Sequence, residues 1–206
     1  MTVPLHLAQD AEADELLARS PLALLTGMLL DQQIPMERAF AGPLLIARRL
    51  GRDDLDAHEI ADQDPAVFAE LLSRKPAVHR YPGAMAKRIQ TLCAYIVRYY
   101  GGDPGAVWRD APSGQELFRR LRALPGFGNQ KSQIFVALLG KQLDVRPQGW
   151  RAAAGDYGAE DSLRSVADVR DPQTLAQVRA FKQGQKAKTK ASLADSPGLA
   201  DTGASG

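Results

Sequence analysis

The clearest chemistry in this sequence belongs to backbone rather than side chains. In Leu124-Pro125-Gly126-Phe127-Gly128, two glycines stand one residue apart behind a proline. Gly126 and Gly128 permit positive φ and close approach by another molecule, while Pro125 ends the helix before it. The N–H groups beyond them open a stretch starting at Gln130, where the positive end of a helix dipole suits a phosphate oxygen. A turn of this kind grips nucleic-acid backbone without reading its sequence. The same five residues equally describe an ordinary corner between two helices with glycine at the C-cap.

The elements that must position this turn are helical. Leu117, Leu121 and Leu124 precede it, and Ile134, Phe135, Leu138 and Leu139 follow, both sets at helical spacing. Two amphipathic helices therefore share one buried seam. The same periodicity predicts helices near residues 11–19, 22–32, 36–50, 57–61, 65–73, 83–100, 105–108, 114–123, 130–139, 147–154 and 172–188, with Pro21, Pro35, Pro65, Pro147 and Pro172 at or near their starts. No stretch alternates with period two, so the fold class is all-α.

Composition bounds the reading. A chain of 206 residues with 45% hydrophobic content holds one large or two small domains around a real core. No apolar run approaches a membrane span, and Met-Thr-Val-Pro-Leu-His lacks a charged region followed by an apolar one, so the expectation is a cytoplasmic protein without a membrane partner. Cys93 is the sole cysteine, which excludes a disulfide framework or a four-cysteine iron–sulfur cluster; flanked by Leu92 and Ile96, it reads as core filler. The histidines, His6, His58 and His79, form no metal spacing.

A net charge of +2 identifies no partner, but its distribution is uneven. Acid gathers at Asp53, Asp54, Asp56, Glu59, Asp62 and Asp64, the composition of a solvated face. Base dominates 74–98, 119–122 and 182–190, and Lys87, Arg88, Arg120, Arg122 and Lys131 flank the motifs. Residues from 191 onward are small and polar and predict a disordered tail.

Upstream of the turn, Tyr81-Pro-Gly-Ala-Met-Ala-Lys87-Arg88-Ile89 leads into a long helix that stops at Gly101-Gly102, and Leu29-Leu-Asp31-Gln32-Gln33-Ile34 closes an early apolar helix. These segments, in this order with L-P-G-x-G, resemble the helix-hairpin-helix base-excision DNA glycosylases of the endonuclease III, adenine glycosylase and alkylbase glycosylase superfamily, over roughly residues 21–158. The resemblance implies a domain over 1–190, with one bundle at about 21–140 that holds the hairpin at 114–140. A second subdomain would form from N- and C-terminal helices, with a base pocket in the cleft between. It implies a monomer acting on damaged or mismatched duplex DNA in the cytoplasm, at the nucleoid. Gln32 or Gln33 would fill the gap left by an extruded base, and Leu124 to Gly128, Gln130, Lys131, Lys87 and Arg88 would contact DNA. No catalytic cofactor is implied, although relatives hold a structural monovalent or magnesium ion at the hairpin carbonyls.

The chain departs from this pattern where the chemistry is done. The lysine that forms a Schiff base in bifunctional relatives corresponds to Gln130, so β-lyase activity is not expected. Lys131 is one residue further, a rotation of about 100° on a helix, too far to replace it without a backbone change. The family aspartate corresponds to Gln148. A carboxylate there stabilises positive charge on the sugar as the N-glycosidic bond breaks and orients the attacking water, and an amide does neither well. Asp144 in the same loop, Asp156 after Gly155, or Asp31 beside the glutamines would have to serve, against their ordinary roles as surface caps or loop carboxylates. Trp150 and Tyr157 would offer aromatic faces to a flipped base or simply pack in the core. The implied function is a monofunctional DNA glycosylase, the alternative a catalytically silent lesion-binding protein of the same fold.

Overall fold

Among residues 4–194, which the computed structural model describes, there are eleven α-helices and no strand. They are α1 (Ala11–Arg19), α2 (Pro21–Leu30), α3 (Met36–Leu50), α4 (Ala57–Asp62), α5 (Pro65–Ser73), α6 (Pro82–Tyr100), α7 (Ala106–Arg109), α8 (Gly114–Ala123), α9 (Asn129–Gln142), α10 (Trp150–Ala154) and α11 (Pro172–Ala194). Six starts are capped by a side-chain oxygen that accepts a backbone N–H: Asp10, Ser20, Asp56, Asp64, Ser113 and Asp171. These caps satisfy donors that the first turn leaves unpaired. Four members of the early acidic cluster have structural work to do, because Asp56 and Asp64 are caps, Glu59 pairs with Arg52 at 3.0 Å and Asp54 pairs with Arg19 at 3.4 Å.

Helix α2 explains the architecture. Every residue from Leu22 to Leu30 is buried, so the other helices surround it on all sides. Helix α3 crosses close to it: a Cβ at Gly27 would stand 2.7 Å from the Phe40 ring, and one at Gly42 would stand 2.6 Å from Leu30. Helix α9 is the second inner element, fully buried from Phe135 to Leu139. One hydrophobic cluster runs from Leu5 to Val178, joining the segment before α1 to α11. Cys93 lies inside it, and burial pushes its thiol up to about 12, as suits a packing residue.

The expected element boundaries shift in three places. Helix α2 stops at Leu30, and Asp31 and Gln32 form a turn. The helix expected from 147 starts at Trp150, because Gly149 takes a positive φ of 77°. Helix α11 continues to Ala194, so residues 191–194 are helical rather than part of a loose tail; residues 195–206 lie outside the described ones. No helix among the described residues is long and apolar enough to cross a membrane.

Candidate nucleic-acid interface

Helices α8 and α9 meet at the Leu124–Gly128 turn as the sequence predicts. Phe127 N–H donates to the Leu124 carbonyl at 3.0 Å, closing the turn, and Gly126 sits at φ 84°. Gly128 does not need the left-handed region, since its φ is −81°. Its value is clearance: a Cβ there would have no heavy atom within 4 Å. Leu124 and Phe127 turn their side chains into the core, Phe127 edge-on to Phe135 at 5.8 Å, so only their backbone remains for a ligand. Helix α9 has no side-chain cap, which leaves the N–H groups of its first turn without a side-chain partner. An electropositive, unobstructed helix start fits a phosphate oxygen.

A cavity of about 530 Å³ opens beside this turn, a volume typical of small-molecule sites. Asp31 from the end of α2, Gln130 and Lys131 from the start of α9, and Tyr157 from a short 3₁₀ turn line it. Arg164, Lys182 and Gln185 complete its polar wall, and Met28, Ile134 and Phe181 supply its apolar surface. Gln130 Nε2 donates to the Tyr157 hydroxyl at 2.8 Å. Both 130 and 131 face the cavity, so the one-residue step between them does not carry Lys131 away from it. The Lys131 ammonium reaches the Met28 carbonyl at the end of α2, whose negative dipole end attracts it. Burial pulls its amine down to about 8; Asp31 opposes that shift, and Arg88 and Lys182 reinforce it.

The two glutamines separate. Gln32 Nε2 donates to the Leu29 carbonyl at 2.7 Å, and its Oε1 accepts from Arg88 at 2.7 Å, so this amide closes off the α2 terminus. Gln33 is exposed, held at φ 58°. Buried His79 links this turn to the start of α6. Its Nδ1 accepts from Tyr81 N–H at 3.0 Å, so the proton is on Nε2, which donates to the Gln32 carbonyl at 2.8 Å. The link presents Tyr81, 45% exposed, near the glutamine turn. Sequence reasoning passed over Tyr81; the signal available was an aromatic residue directly before a Pro-Gly helix start.

Several predicted residues lie elsewhere. Asp144 is a correction: it lines separate cavities with Trp108 and Arg146, its side chain is 79% exposed, and it pairs with Arg146 at 3.3 Å. Gln148 is exposed, and its carbonyl accepts from Gly114 N–H at 2.8 Å, which ties it to the start of α8 rather than to the cavity. Trp150 takes the second of the two roles the sequence offered, since it is buried core: a Cβ at Gly140 would stand 2.4 Å from its ring. Lys87 lines a shallow groove with Gln63 and Gln90, and only its neighbour Arg88 reaches the glutamine turn. Arg120 is spent on Glu116 at 2.9 Å, and with Arg119 it holds that carboxyl down to about 2. Asp156 is exposed and pairs with Arg164 at 2.7 Å at the cavity rim.

Asp31 is thus the one carboxylate among the described residues lining the cavity. At the hairpin, the Leu124 carbonyl already accepts a hydrogen bond and no acidic side chain occurs from 124 to 130. No family model, curated protein or solved structure matches this chain.

Proposed function

We propose that the chain binds duplex DNA through the α8–α9 turn and receives an extruded, damaged base in the adjacent cavity, acting as a monofunctional DNA glycosylase in base-excision repair. The observation that carries this reading is the pairing of an uncapped α9 start, clear above Gly128, with a cavity that opens at the same helix end. Phosphate contacts position the duplex, and a base taken out of the stack enters the pocket. Tyr81 and Gln33 stand exposed at the turn that His79 ties together and would support the opened base pair. Asp31 supplies the negative charge that glycosidic cleavage needs, stabilising the sugar cation and orienting water. Cytoplasmic, nucleoid-associated repair by a monomer is the setting this reading calls for.

Gly128 provides the test. Gly128→Ala adds a methyl group to empty space and leaves folding unchanged, so a loss of duplex affinity must come from the ligand side. The expected loss is about tenfold for Gly128→Ala and larger for Gly128→Asp, equal for intact and lesion-bearing duplexes. Unchanged gel-shift affinity in both folded variants would refute the reading. The silent lesion-binding alternative draws on one observation, that positions 130 and 148 carry amides. Tight lesion binding with every substrate left intact would select it.

A further inference from the structure

The charge on the cavity wall bears on which base it accepts. Lys131, Arg164 and Lys182 are cationic, and Asp31 alone is anionic. Arg164 is offset by Asp156 and lies over the Phe181 ring at 5.6 Å, which leaves Lys131 and Lys182 as the principal cations. Hydrogen-bonding capacity is equally one-sided. The Lys131 ammonium has three N–H groups, and the Met28 carbonyl takes one. Gln130 uses one amide hydrogen on the Tyr157 oxygen, so the tyrosine keeps its own O–H to donate. Against these donors stand the Asp31 carboxylate and the side-chain carbonyls of Gln130 and Gln185. The apolar surface of Met28, Ile134 and Phe181 suits a planar ring.

Granted the duplex-binding reading above, we propose that this cavity selects a nucleobase whose edge is rich in carbonyl acceptors and carries no positive charge, the deaminated and oxidised class, and rejects cationic alkylated bases. Carbonyl oxygens accept from Lys131, Lys182 and Tyr157, and an anionic base gains further. A base with formal positive charge meets two ammonium groups across a few ångströms of partly desolvated space. A donor-lined site also leaves its own groups unpaired when the base offers no acceptors.

The test uses the full chain and otherwise identical duplexes with a central uracil, xanthine, 8-oxoguanine, N7-methylguanine or unmodified base, compared by fluorescence anisotropy. Uracil and xanthine represent deamination and 8-oxoguanine oxidation. At least one of the three is expected to bind about tenfold more tightly than the N7-methylguanine duplex. Lys131→Gln combined with Lys182→Gln should narrow that ratio below about threefold. An N7-methylguanine duplex bound as tightly as the others, or more so, overturns the inference. Equilibrium dialysis with xanthosine and N7-methylguanosine reads the cavity apart from the hairpin. If duplexes fail to bind while xanthosine is retained preferentially, the duplex reading falls and the cavity preference stands. If duplexes bind without the preference, or the two nucleosides are retained equally, the cavity inference fails alone.

Discussion

A single residue step changes the chemistry available to this protein. Lys131 enters the cavity because the Met28 carbonyl lies across from it, and its lowered amine makes a stability prediction. With a folded value near 8 against an ordinary 10.5, the unfolded chain binds more protons between those values, so stability rises with pH across that window. Below about pH 8 the buried charge costs stability in full. Lys131→Met should stabilise by about 2 kcal/mol at pH 7, with the gain gone above about pH 10.5, as read from urea midpoints. A second prediction separates the carboxylates. Asp31→Asn should lower any glycosylase turnover by at least about a hundredfold with little effect on binding, whereas Asp144→Asn should leave turnover unchanged. Single-turnover cleavage at saturating enzyme decides between them. The Gln130 amide nitrogen is not nucleophilic, so borohydride trapping on an abasic duplex should yield no adduct. An adduct lost in Lys131→Gln would show β-lyase chemistry at 131.

At the scale of elements, the hairpin is held by what lies beneath it. Gly126 sits at φ 84°, and a Cβ there would approach Leu29 of α2 to 2.4 Å. Gly126→Ala therefore combines backbone strain with a clash against the central helix. It should cost about 1–3 kcal/mol, seen as a lower melting temperature, while Gly128→Ala should melt like the parent. The contrast matters because both glycines belong to one sequence motif. One is required for folding, and the other is free to serve a ligand. The turn after α2 depends on a similar link, since His79 ties the Gln32 carbonyl to the backbone of Tyr81. The exposed Gln33 and Tyr81 are thereby held on rigid supports rather than on a free loop.

At the scale of the whole molecule, the segment between α10 and α11 must be pinned for the cavity to exist. The buried pair Lys141–Asp168, at 2.5 Å, joins α9 to that segment, with side chains 5% and 3% exposed. Asp168 also accepts from the backbone N–H groups of Arg164 and Ser165 at 2.9 and 3.1 Å, which fixes the strand of chain that brings Arg164 to the cavity rim. Asp168→Asn leaves the Lys141 ammonium buried without a counter-charge and should cost about 3–5 kcal/mol. Thermal unfolding measures it directly, and a loss under about 1 kcal/mol would mean that water relieves the charge. Helix α11 is anchored on the far side by Arg179 to Glu37 of α3, so the C-terminal helix closes the cavity that the hairpin begins.

Fold class and nearly all the helices were readable from the sequence because their causes are local. Capping oxygens, Pro at helix starts, Gly at helix ends and the 3.6-residue repeat all act within a turn or two. The hairpin was readable for the same reason, down to the positive φ of Gly126. Convergence was not. Asp144 and Trp150 shared a connecting loop with the expected site, yet Asp144 faces solvent beside Arg146, and Trp150 fills the space left by Gly140. Proximity in sequence says nothing of which side of a helix the loop returns to. Tertiary packing alone decided that Asp31, Lys131, Arg164 and Lys182, from four separate segments, meet in one cavity. Contacts far apart in sequence bring them together, such as Lys131 with Met28 across more than a hundred positions and Lys141 with Asp168, which anchors the Arg164 segment.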